Sequence, residues 1–159
     1  MTTLDPSRSG MSWAVRPSFV EYVARTGGDI TVHAPAVMHE QGFGWPATTA
    51  TAPAGSPTAL RVELAGAVSF FAHGGMLDIT LGGLVATVDD GVLRLHAITS
   101  DGSEVTVVEG PCAPTTAVDG VEAWVAHPAL HPDAVDWFGG NYPAGTGFAP
   151  LLLTVSAPR

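Results

Sequence analysis

The residues best placed to do chemistry are an imidazole, a phenol and a pair of spaced histidines. His73 lies in Phe70-Phe71-Ala72-His73-Gly74-Gly75-Met76-Leu77-Asp78-Ile79, where an apolar run, two glycines and a second alternating run predict a hairpin with the imidazole at its tip. A hairpin tip is a place from which a sheet can offer one polar group to a ligand, although a histidine beside two glycines is more often a plain turn residue. Tyr22 falls in Pro17-Ser18-Phe19-Val20-Glu21-Tyr22-Val23-Ala24-Arg25, with Phe19 and Val23 at helical spacing around it. The pattern puts Phe19, Tyr22 and Val23 on one inward face, and by itself it favours a packed core tyrosine with a satisfied hydroxyl.

The remaining candidates are weaker. His127 and His131 are four apart, as zinc ligands on a helix would be, but Pro128 and Pro132 interrupt any such helix and no glutamate follows His127, so a solvated loop is expected. His33, His39 and His96 have no partner spacing, and Asp78 alternates against Leu77 and Ile79, toward water. Cys112 stands between Pro111 and Pro114 in what reads as a loop, and as the one cysteine it has no internal disulfide partner. No serine nucleophile elbow, phosphate-binding loop or paired-carboxylate pattern is present.

Composition narrows the classes further. The chain has 159 residues, 46% of them hydrophobic and 13% charged, which is material for one domain with a substantial core. A net charge of −9 with only six Lys and Arg argues against nucleic acid and against anionic lipid, both of which need clustered cations. No apolar run reaches the length of a membrane-spanning helix, so no membrane insertion is expected. These residues carry no basic and apolar leader pattern, and the corresponding expectation is a cytoplasmic protein, or a secreted or cell-surface one if targeting segments were removed.

The elements that must carry these residues are mostly strands. Residues 1–10 read as a flexible lead-in to a single domain over 11–159. A short helix follows, opened by Pro17 and stopped by Gly27-Gly28. Strands are expected at 29–33, around Phe43 and Trp45, at 60–72, 77–81, 84–88, 92–98 and 104–108, and at 151–155, while 46–58 and 111–119 read as loops. Asp89-Asp90-Gly91 supplies a tight turn. Val121 to Ala126 suits strand or helix, and 132–138, with Pro132 first and Gly139-Gly140 last, reads as a second short helix. The expected class is mainly β: an antiparallel curled sheet or sandwich of about 8–11 strands with two short α-helices.

Three ordered blocks carry a resemblance: Ser12 to Val23 (SWAVRPSFVEYV), Ala65 to Leu81 (AGAVSFFAHGGMLDITL) and Trp137 to Thr146 (WFGGNYPAGT). Together, running from about residue 11 to 155, they resemble the HtaA domain, the haem-binding module of actinobacterial haem-uptake proteins. The resemblance implies a β-rich fold that holds one haem b, with a helix tyrosine as axial iron ligand and a hairpin histidine hydrogen-bonded to it. Those roles fall on Tyr22 and His73. A phenolate is a hard anionic donor suited to ferric iron, whereas a free phenol titrates near pH ~10; iron charge and a donated imidazole N–H both favour the anion.

The macrocycle needs apolar walls, for which Phe19, Phe70, Phe71, Trp45, Trp137 and Tyr142 are candidates, each equally readable as core. Ser12, Ser18 and Arg16 are candidate donors to the propionates. One departure from the family pattern is Asn141, where an aromatic is expected beside Tyr142. The functional expectation is haem storage, trafficking or transfer, with a haem donor or acceptor protein as partner and a homodimer as one assembly. The alternative is a cytosolic haem-dependent enzyme, peroxidase-like or oxygen-transferring, that uses the same tyrosinate site.

Overall fold

The structure, a computed structural model, describes residues 2–52, 59–115 and 118–156. Strands appear in chain order as β1 (Thr2–Thr3), β2 (Gly10–Trp13), β3 (Asp29–His33), β4 (Val37–His39), β5 (Gly42–Ala52), β6 (Leu60–Leu64) and β7 (Ala67–Ala72). The series continues with β8 (Leu77–Gly82), β9 (Val85–Asp89), β10 (Val92–Ile98), β11 (Glu104–Pro114), β12 (Val121–Ala126), β13 (Ala129–Leu130) and β14 (Leu151–Ser156). Among the described residues a single α-helix, α1, spans Pro17–Arg25. No described helix is long and apolar enough to cross a membrane.

The larger sheet runs β5-β2-β14-β12-β11-β10-β9-β6, and β6 pairs back onto β5, so the sheet closes on itself as an antiparallel barrel. Closure removes the unpaired edges that an open sheet of this size would present. Two eleven-residue strands make the corners: β5 pairs with β2 through Phe43–Pro46 and then with β6 from Ala47 on, while β11 passes from β10 to β12 near Cys112. Alternation along β14 sends Leu151, Leu153 and Val155 into the barrel, where Val62, Leu93, Leu95 and Val107 meet them fully buried. Between β9 and β10 the predicted tight turn is present, with Asp90 and Gly91 both at positive φ as a two-residue hairpin requires.

A smaller sheet, β3-β7-β8, stands beside the barrel and carries the site. Helix α1 packs on β3 and β7, and its roll is set by Phe19 and Val23, which are 2% and 0% exposed. The ring of Phe19 meets Phe70 of β7 at 5.2 Å, Phe138 at 5.6 Å and Tyr142 at 6.3 Å between centroids. Gly28, just past the helix, lies where a Cβ would come within 2.5 Å of the Phe71 carbonyl oxygen, so helix and sheet approach more closely than any other residue would permit.

Several expectations need correction. The 60–72 strand is two strands in two sheets, because Gly66, at φ +87° and too close to Ala36 for a side chain, turns the chain between them. The loop expected at 46–58 is strand as far as Ala52, and 53–58 lie outside the described residues; alternating small and β-branched residues there serve as a barrel corner despite their polarity. The 111–119 loop begins only after Pro114, which places Cys112 in β11, half-buried, where burial raises its thiol pKa; 116–117 lie outside the described residues. In the expected lead-in, Thr2–Thr3 pair with β5 and Pro6–Arg8 form a 3-10 turn, so part of it joins the sheet.

The second helix does not form. Pro132–Ala134 make one 3-10 turn, and the chain then leaves helical geometry through Gly139 and Gly140, both at positive φ. The segment is too short to sustain helix against the need to drive Phe138, 1% exposed, onto Phe19 and Phe148.

Two substitutions test this scaffold by chemical denaturation. Phe19→Ala is expected to cost about 3–5 kcal/mol, as a large aromatic removed from a full core does. Gly28→Ala, which forces β7 and α1 apart, is expected to cost about 1–3 kcal/mol; a neutral result would mean that α1 can shift freely on its sheet.

Candidate functional site

Tyr22 and His73, 51 positions apart in the chain, meet with Oη and Nε2 2.6 Å apart. The helix delivers the phenol. With 3.6 residues per turn, Tyr22 lies about 60° around the axis from Phe19, so burying Phe19 and Val23 leaves Tyr22 at the edge of the inward face and not on it. It is 41% exposed, which corrects the expectation that all three residues share the core.

The hairpin delivers the imidazole. β7 and β8 pair as far as Ala72 with Leu77, and the four intervening residues turn the chain. His73 itself takes φ +54°, followed by Gly74 at +65° and Gly75 at +104°. A left-handed backbone is uncommon outside glycine, and strain of this kind is held only where the surroundings over-determine it. Here the registered strands on both sides and the bond to Tyr22 hold it.

The pair borders a cleft of about 180 Å³ lined also by Phe19, Met76, Leu77, Phe138, Gly139, Asn141 and Tyr142. One wall is therefore the helix, another the hairpin, and the third the Phe138–Tyr142 segment, which turns through Gly139 and Gly140 at positive φ. Tyr142 stands edge-on to Phe19 and Phe148, and the Arg16 guanidinium lies 5.2 Å from its ring centroid. Arg16 Nη1 donates to the Gly147 carbonyl, while its Nε is buried with no hydrogen-bond partner. Apart from Tyr22, His73 and Tyr142, no described residue lining the cleft carries a titratable side chain.

Of the candidate wall residues, Phe19 and Tyr142 line the cleft. Phe70 and Trp45 are core, the Trp45 indole donating to the Leu81 carbonyl, and Phe71, 41% exposed, lies outside on the hairpin. Trp137 faces a different depression of about 520 Å³ beside Asp78, Thr80 and Ser100, and a groove of about 480 Å³ runs on the far side of α1 past Val20, Met38 and His39. Both are larger, but neither contains the phenol–imidazole pair. Ser18 is exposed and does not border the cleft, and Ser12 lies in β2, so of the three candidate donors Arg16 is the one placed against a cleft residue.

Met76, Leu77, Phe138 and Gly139 were not singled out by sequence reasoning. Nothing in their spacing distinguishes them from turn and core residues, since they reach the cleft only through the β7–β8 register and the turns after Ala134. Elsewhere His131 Nδ1 accepts from the Asp133 amide and caps the 3-10 turn. Among the described residues no group of three His, Cys, Asp or Glu side chains could hold a metal ion.

Comparison with known proteins bears on the fold and the family. The chain is similar to the C-terminal domain of HtaA from Corynebacterium glutamicum, with TM-score 0.83, 18% identity, and 98% of this chain and 99% of that one covered. It is similar to the N-terminal domain of the same protein, with TM-score 0.80, 19% identity and all of both chains covered, and to heme binding protein HtaB from Corynebacterium glutamicum, with TM-score 0.67, 17% identity, and 98% and 93% covered. At these identities the likeness speaks to the fold. No curated protein matches the sequence. The family model described as Htaa matches residues 8–154, nearly the whole chain, and the chain belongs to the HtaA family.

Proposed function

We propose that this domain binds haem b, that Tyr22 ligates its ferric iron through the phenol oxygen, and that His73 supports that oxygen by hydrogen bonding. The observation that carries the reading is the 2.6 Å contact between Tyr22 Oη and His73 Nε2 at the mouth of an aromatic cleft. Membership of the HtaA family and similarity to a protein named for heme binding support it.

The site fits such a cargo in a particular way. Sites that enclose a ligand have volumes of roughly 300–1,000 Å³, and this cleft has about 180 Å³. Its aromatic and aliphatic lining would suit one edge of a flat macrocycle, and the exposed Tyr22 and Met76 at its border would leave the rest of such a cargo accessible. Phe19, Phe138 and Leu77 supply the apolar wall, and Arg16, beside Tyr142 with an unpartnered Nε–H, would be a candidate donor to a propionate. An open site lets a donor or acceptor protein reach the cargo, which suits storage, trafficking or transfer.

The chain's own groups explain how the cargo would be held and released. A phenolate is a hard ligand for ferric iron, and an imidazole N–H directed at its oxygen stabilises the anion. Acid, or reduction of a bound iron, would favour the neutral phenol and weaken Tyr22 as a ligand. Peroxidase-type chemistry would need a further positioned acid–base group, and the cleft offers none among its described residues beyond the two tyrosines and His73. Binding is therefore the reading adopted over catalysis.

Absorption spectra of protein loaded with ferric haem provide the test. Tyr22→Phe is expected to abolish the phenolate-to-iron charge-transfer band and shift the Soret band, while the fold, judged by denaturation, changes by no more than about 1 kcal/mol because the phenol sits at the surface. Unchanged spectra would place the iron on another ligand. His73→Ala should keep the charge-transfer band but release haem to a globin acceptor about tenfold faster, the equivalent of one charge-assisted hydrogen bond. Release should also accelerate as pH falls; rates indifferent to pH would remove the proposed release mechanism.

A further inference from the structure

We propose that Met76 is a second iron ligand of this site, taking over from Tyr22 when the bound haem is reduced. The inference rests on the haem reading above. Met76 borders the same cleft as Tyr22 and His73, yet it is 87% exposed, more than any other large hydrophobic residue described. A single exposed apolar side chain is ordinary. What sets this one apart is its position, between the imidazole that supports the proposed ligand and Leu77, which is buried at 7% and anchors the start of β8.

The turn that carries it is also uncrowded. Met76 closes the turn through one amide donated to the His73 carbonyl at 3.3 Å, and the two residues before it are left-handed glycines. A Cβ at Gly74 would meet nothing within 4 Å, and one at Gly75 only the edge of the Phe71 ring. The thioether thus sits on an unbranched, three-torsion side chain carried by an uncrowded turn at the border of the cleft.

Ligand preference supplies the reason for an exchange. Phenolate oxygen is hard and anionic and prefers ferric iron, whereas a thioether is soft and neutral and suits the ferrous state. A one-electron reductant such as dithionite gives its electron to the iron and is itself oxidised. The iron–oxygen bond breaks with its electron pair remaining on Tyr22 Oη, which takes a proton through His73 Nε2 at 2.6 Å, and solvent reprotonates the imidazole. The Met76 sulfur donates a lone pair to form the new bond. Reduction would then change the ligand without ejecting the cargo, and ferrous haem would be held by a residue that a partner protein can reach.

The experiment uses the full chain loaded with ferric haem, as wild type and as Met76→Leu, a change that removes the sulfur while keeping an apolar side chain of similar volume. Iron-edge X-ray absorption should show a sulfur neighbour in the dithionite-reduced wild type, none in the ferric wild type, and none in either state of Met76→Leu. Ferrous haem should leave Met76→Leu about tenfold faster than wild type, with ferric haem loss the same in both. Absence of sulfur in the reduced wild type, or equal ferrous loss from the two proteins, would overturn the exchange. Loss of the sulfur signal in His73→Ala but not in Met76→Leu would assign the ferrous ligand elsewhere and overturn it equally. A ferric spectrum indifferent to Tyr22→Phe would remove the phenolate reading and this one with it, whereas a Tyr22-dependent ferric spectrum without ferrous sulfur would remove the exchange alone.

Discussion

The position of every group in the cleft depends on the burial of one side chain, Phe19. Its ring touches Phe70 on the small sheet, Phe138 in the turn after the last 3-10 segment, and Tyr142 at the cleft wall. Removing such a ring from water contributes about 1.5–3 kcal/mol, and edge-on aromatic neighbours add roughly 0.5–1.5 kcal/mol each. Those contacts fix both the distance of α1 from β7 and its roll. Once the roll is fixed, Tyr22 has no freedom to enter the core, and its hydroxyl emerges where the β7–β8 turn places His73.

Stability and function are separated in space by this arrangement. The barrel closes around aliphatic side chains that take no part in the cleft, while the groups able to bind a cargo lie on a three-stranded sheet, a nine-residue helix and a loop set against it. Loops and element ends carried by a rigid scaffold are where binding groups are commonly found, because their side chains can stay exposed without weakening the core. The left-handed backbone of His73 is a cost that the rest of the fold offsets.

Much of the fold was readable from local pattern. The proline–glycine brackets of α1, the Asp-Asp-Gly turn, the alternation in β8 to β10 and the apolar composition of β14 are short-range signals, and each element appears where its signal stands. Reading failed where an element answers to distant neighbours. Residues 46–52 look like loop yet lie in a barrel corner, because pairing on two sides outweighs weak local propensity. Residues 132–138 look like helix yet form turns, because Phe138 must reach Phe19.

The sequence by itself determined that the chain is a mainly β domain with a proline-opened helix over 17–25 and a histidine-tipped hairpin, since hydrophobic period, prolines and glycines act within a few residues of themselves. The family blocks also carried the identity of the phenol and the imidazole. Only the tertiary structure decided that the two meet at hydrogen-bond distance, that Tyr22 stands at a rim and not in the core, and that Met76 and the Phe138–Tyr142 loop complete the cleft. Those facts depend on helix roll and on the docking of segments far apart in the chain, and no local pattern encodes a rotation about an axis or a contact across 51 residues.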